Sequence, residues 1–237
     1  MNVVSAHRVK RARGDRADSA RALLWQLIWI YQGGCAAAVA ITFMLVLLGL
    51  ELTGYQWLLI LLMTPVAVAI YNLVDVYVLR RNVQPVCAAL RALDADEVPE
   101  RTVALGLVRA LNLPYFSFLR VTFLHGPLVT ILVYLVPTTA NWLLDAGYEQ
   151  WQIWAFCATT LFFASPTHAI FEYFAVSRAI EPVILRLSRV MGGRLPPEYR
   201  RGLIAVRLKS KLLYLAIFVT TLPLIFFAAS MIFKVER

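Results

Sequence analysis

An all-α bundle lying in a bilayer is the architecture this sequence predicts, and three observations predict it. The chain is 60% hydrophobic and only 16% charged, with a mean hydropathy of +0.69, whereas soluble domains run nearer half apolar and a quarter charged. The apolar residues gather into five runs, about 23–50, 56–79, 115–136, 151–175 and 212–233, and each reaches the roughly 20 residues a helix needs to cross hydrocarbon. Lys and Arg gather at the amino terminus and in two connectors, 80–112 and 177–210, while the turns near Glu51 and Asp145 hold none.

The first 22 residues form a basic segment, with Arg8, Lys10, Arg11, Arg13, Arg16 and Arg21 against Asp15 and Asp18. A secretory signal would continue into a short apolar core and a small-residue cleavage site; here a full spanning run follows. Within that run Gly33, Gly34 and Ala36 to Ala38 place small residues four apart, a face that lets a neighbouring helix approach closely. Pro65 lies inside the second run as a possible kink. Trp25, Trp29, Trp57, Trp142, Trp151 and Trp154 fall near the run ends, where an amphipathic ring suits the membrane interface. Excess positive charge marks the cytoplasmic side, so the amino terminus and both connectors are expected inside and the fifth run finishes outside at KVER.

A repeat underlies the layout. At a fixed offset of 97 positions Arg81 falls on Arg178, Pro85 on Pro182, Val86 on Val183, Leu90 on Leu187, Asp75 on Glu172 and Trp57 on Trp154. Such self-similarity marks a repeated structural unit, here two spans plus a connector. The fifth run then opens a third repeat without its partner, and Lys234 and Arg237 lie on the face where other turns lack basic residues. The expectation is a longer native protein with a sixth span and a soluble domain beyond it.

After Pro85 the apolar positions are Val86, Leu90 and Leu93, and after Pro182 they are Val183, Leu187 and Val190. That i, i+4, i+7 spacing is one helical stripe, narrow enough for a coiled-coil seam. Proline suits a first helical turn, where its missing N–H has no intrahelical partner. Each connector is therefore expected to begin a new amphipathic helix at its proline and to stop at DADEVPE or MGGRLPPE.

Arg178, Glu181, Pro182, Val183, Leu187 and Gly193 resemble the start of a HAMP signalling helix. The first copy departs from that pattern, with Gln84 in place of the glutamate and no glycine at its break. Membrane hairpins joined by HAMP-like connectors are similar to the six-helix membrane region of bacterial HAMP-linked class III adenylate cyclases, and related regions precede some histidine kinases and chemoreceptors. The resemblance covers most of the chain in layout, while the sixth helix, the HAMP domain and the output domain are not in this sequence. It implies a multi-pass protein of the bacterial cytoplasmic membrane, a homodimer, and a possible lipophilic or membrane-derived ligand. No catalytic residue carries over, so this region is not expected to be an enzyme.

The polar residues inside the runs are the other candidates. Asp75 and Glu172 each lie six residues before the repeated arginine, near the ends of spans two and four. A charge at the bilayer centre costs about 2.5–3.5 kcal/mol on insertion scales, and less toward the interface. Tyr71 and His168 sit one turn before the two acids and share their faces, and Arg120 and His125 enter span three from the same side. One reading gathers Asp75, Glu172, Arg120, His125 and His168 into a buried cluster that transmits a helix shift, with Arg81, Pro85, Arg178, Glu181 and Pro182 passing it onward. The competing reading is interfacial snorkelling plus structural hydrogen bonds.

Other chemistry is weakly represented. The chain has no phosphate-binding GxxxxGK[ST] loop, dinucleotide fingerprint, His-Glu-x-x-His pair or nucleophile elbow. Cys35, Cys87 and Cys157 read as free thiols, and His125 and His168 lie on different helices without a Cys or second His at ligand spacing, so no metal and no cofactor is expected. The net charge of +9 follows from membrane topology, and no nucleic-acid partner is expected; the partner is the lipid bilayer. A small transporter or channel subunit, or a non-catalytic subunit of a membrane complex, is the alternative to a signalling input region. A proton relay through the two acids would suit it.

Overall fold

A computed structural model describes residues 19–96 and 99–204. The fifth run at 212–233, Lys234, Arg237 and most of the basic amino-terminal segment lie outside the described residues. The fold is all-α, with no strand among the described residues: α1 (Ser19–Gly49), α2 (Gly54–Asp94), α3 (Glu100–Arg120), α4 (Gly126–Leu144), α5 (Gln150–Thr159), α6 (Ser165–Val190) and the single turn α7 (Pro197–Arg200). Five-residue π-helical turns at Val121–His125 and Thr160–Ala164 join α3 to α4 and α5 to α6. The result is four helical stretches, Ser19–Gly49, Gly54–Asp94, Glu100–Leu144 and Gln150–Val190, each long and apolar enough to cross a membrane.

The connectors differ from the sequence expectation. Helix α2 runs without a break through Pro85, and α6 runs through Pro182. Neither proline starts a new helix. An interior proline forfeits one backbone hydrogen bond and crowds the preceding turn, at roughly 3 kcal/mol or more. Here the stripe around Pro85 is buried at Val83, Val86, Ala89 and Leu90, and Ile180 and Leu187 flank Pro182 in the same way. Burial of a side chain of this size contributes about 1.5–3 kcal/mol, so packing outweighs the proline. The third spanning element likewise begins at Glu100 rather than Tyr115, so the first connector is the end of α2, a short turn, and the start of α3.

The chain divides into two compact units, one of residues 19–32, 77–117 and 173–204, the other of residues 33–76 and 118–172 within the described range. The first has an apolar core built from Leu23, Leu27, Leu79, Val83, Val86, Leu90, Val103, Leu107, Leu113, Ile180 and Leu187. Gly106 allows α3 to lie against α2, because a methyl group there would stand 2.4 Å from the Ala89 Cβ. Asp94 accepts from Ser19 Oγ and from Arg186 Nη2 at 2.7 Å, tying the ends of α1, α2 and α6 together. Gly192 and Gly193, both at positive φ, end α6, and Asn112 then holds the returning chain by donating to the Gly202 carbonyl at 2.6 Å and accepting from the Ile204 N–H at 2.9 Å.

The second unit is closed at one end by its turns. Thr53 and Gln56 form a reciprocal cap on α2, with Gln56 N–H donating to Thr53 Oγ1 and Thr53 N–H donating to Gln56 Oε1. Glu149 and Gln152 cap α5 in the same manner. Gln56 Nε2 donates to the carbonyls of Ala146 and Gly147, the Tyr148 hydroxyl donates to the Gln56 carbonyl at 2.6 Å, and Gln152 Nε2 donates to the Glu51 carbonyl. The outward faces are apolar: Leu58, Leu62, Leu73, Phe123, Ile131 and Trp142 are all exposed, as a lipid-facing surface requires and a water-facing one rarely shows.

Candidate functional site

The second unit buries a cluster of ionisable residues. Arg120, Asp75, Glu172, His125 and His168 are 5%, 2%, 1%, 6% and 1% exposed, which excludes snorkelling to an interface. Arg120, the last residue of α3, extends Nη1 to Asp75 Oδ1 at 2.5 Å and to the Asp75 backbone carbonyl at 3.3 Å, and its Nη2 donates to Glu172 Oε1. One guanidinium therefore joins the two acids that the repeat places in equivalent positions on α2 and α6. A planar fork with two faces of donors suits this better than a lysine ammonium would.

The histidines complete the network. His125 Nδ1 lies 2.8 Å from Asp75 Oδ2. His168, one turn before Glu172 on α6, lies with Nε2 3.5 Å from Glu172 Oε2. The two imidazoles meet edge to face with centroids 4.9 Å apart, and Tyr71 packs edge-on against His125 at 4.7 Å.

Both π-helical turns serve this geometry. Gly126 N–H bonds Val121 O and Ser165 N–H bonds Thr160 O, the i to i−5 pattern of a π-bulge, a device found often at functional sites. Proline follows each time, at Pro127 and Pro166, where the missing N–H removes a donor that a regular helix would use. The first bulge re-aims the helix between Arg120 and His125. The second lies just before His168, and Ser165 Oγ donates to the Val121 carbonyl at 3.4 Å.

A cavity of about 90 Å³ opens beside the cluster and is lined by Cys35, Thr42, Tyr71, His125, Ser165 and His168, among others. Here α1 contributes what sequence reasoning missed. Cys35 Sγ lies 4.0 Å from His168 Nε2, so the expectation that no cysteine accompanies the histidines does not hold. Gly34 lets α1 come this close: a methyl group on it would stand 2.5 Å from the His168 Cδ2. Of the small residues expected to form a packing face, Gly34 does so, whereas Gly33 meets nothing within 4 Å. The signal was the spacing of Tyr31, Cys35, Ala38 and Thr42, all buried on one helical face of an otherwise greasy segment.

The remaining candidates are not members of this cluster. Arg81, Arg178, Glu181 and Pro182 are exposed and Pro85 is partly buried, all in the first unit. No known protein family matches the chain, and no curated protein or solved structure matches it.

Proposed function

We propose that this chain is the membrane-embedded input and anchoring region of a bacterial signalling protein, with its amino terminus and connectors in the cytoplasm. The observation that carries the reading is the Arg120 bridge between Asp75 and Glu172. A buried charge triad of this kind has few arrangements that satisfy every member, so a displacement of α2 or α6 must either move both helices together or break the bridge. The same two helices continue past the cluster through Pro85 and Pro182, which supplies a route for that displacement toward a cytoplasmic output domain such as an adenylate cyclase. This replaces a proline-hinged connector with an unbroken helix as the transmitting element. A homodimer and a lipophilic or membrane-derived ligand fit the exposed apolar faces and the cavity beside Tyr71.

The test uses the native protein in membranes of its source. Glu181→Ala with Pro182→Ala should change output several-fold while leaving insertion intact, because α6 gains a backbone donor where it now has none. Unchanged output would overturn the reading. Solute flux in proteoliposomes that disappears on Glu172→Gln would instead place the chain among transporters.

A further inference from the structure

Among the described residues, Cys35, His125 and His168 each offer one ligand atom, and these atoms all lie within 4.8 Å of one another, fully inside the second unit. We infer that the three side chains form a binding site for one divalent, thiophilic transition-metal ion of the zinc class. A thiolate with two imidazoles is a donor set that zinc-class ions prefer, whereas calcium and magnesium require oxygen ligands. Tetrahedral zinc with Zn–S near 2.3 Å and Zn–N near 2.0–2.1 Å holds its donors about 3.4–3.6 Å apart, so the donors need to close by roughly an ångström.

The surroundings are built as such sites are. His125 Nδ1 lies 2.8 Å from Asp75 Oδ2, and the tautomer that donates Nδ1–H to this carboxylate has its lone pair on Nε2. This carboxylate–histidine pairing fixes the tautomer and raises ligand basicity. His168 is fixed by Gly34, against which it packs with no room for a methyl group. The fourth position falls to a water, since the 90 Å³ cavity beside the donors has space for several.

The proposal concerns binding alone, and it stands or falls separately from any signalling role.

The chain is purified in detergent without a histidine tag, loaded with Zn²⁺ or Co²⁺ and dialysed. One ion per chain is expected, with the cobalt form showing tetrahedral d–d bands and a thiolate-to-cobalt charge-transfer band. Cys35→Ser should abolish the charge-transfer band, and His125→Gln with His168→Gln should abolish retention. Cys87→Ser with Cys157→Ser should change neither. Asp75→Asn should weaken affinity about 10–100-fold. Wild-type protein that retains no ion, or that shows no thiolate band, overturns the site without recourse to any variant. Retention that survives Cys35→Ser and the double histidine change marks adventitious surface binding and overturns it equally.

Discussion

Gly126 lies so close to Ser165 that a methyl group on the glycine would stand 2.1 Å from the serine hydroxyl oxygen and 2.8 Å from its Cβ. The two residues follow the two π-helical turns, so each bulge is packed where the other helix is narrowest. Gly126→Ala is expected to destabilise the folded chain by about 1–3 kcal/mol through overpacking. Gly126→Ala with Ser165→Gly should recover most of the loss. Denaturant unfolding of the detergent-solubilised protein checks this, and equal stabilities of the single and double variants would refute the packing argument.

Arg120→Met leaves two buried carboxylates facing each other without a cation. Breaking a buried ion network in this way costs about 3–5 kcal/mol. Neutralising both acids as well, with Asp75→Asn and Glu172→Gln in the Arg120→Met background, should restore stability relative to Arg120→Met alone. A triple variant less stable than the single one would mean that charge compensation is not what the arginine provides.

Much of this cluster is legible in the sequence. The offset of 97 positions paired Asp75 with Glu172, and helical spacing put Tyr71 and His168 on their faces. Sequence order also brought Arg120 and His125 in from one side of span three. The cysteine was not legible, because Cys35 reaches His168 across a helix–helix contact that no local spacing encodes; only Gly34 makes the approach possible. Pro85 and Pro182 depart from the sequence expectation for a related reason. A proline's local preference favours a first turn, but the buried stripes around both residues reward continuing the helix, and those stripes acquire their partners only in the tertiary fold. The start of α3 at Glu100 was obscured because its apolar face, Val103, Leu107 and Ala110, is interrupted by charged residues that face outward.

The first unit makes its own prediction. Asn112 holds the chain after α7 through two hydrogen bonds, at 2.6 and 2.9 Å. Asn112→Ala removes both and leaves the Gly202 carbonyl and the Ile204 N–H to find water, an expected loss of about 1–3 kcal/mol. Limited proteolysis should then cut near residues 202–204 faster than in the parent chain, with cutting elsewhere unchanged. An unaltered cleavage pattern would show that this segment is held by other contacts.

Alkaline pH probes the turn that precedes α5. Burial of Tyr148, with a smaller contribution from Tyr55, pushes its phenol up from 10.0 to about 12. The folded state therefore stays protonated where the unfolded state has begun to ionise. Its contribution is complete below pH 10 and is lost as pH rises from 10 to about 12. Tyr148→Phe should flatten that part of the stability profile while lowering stability at neutral pH, since the hydrogen bond to the Gln56 carbonyl is gone. A profile identical to the parent chain would place the alkaline loss elsewhere.

Coupling through the Arg120 bridge is best examined by the basal output of the native protein in its own membranes, compared between the parent and Glu172→Gln at equal expression and equal thermal stability. Removing one charge from the bridge while keeping its shape should shift basal output several-fold, because α6 is then released from the arginine that also holds α2. An output indistinguishable from the parent would contradict the proposal that this cluster transmits a signal, and would leave Arg120, Asp75 and Glu172 as a structural lock within the bilayer.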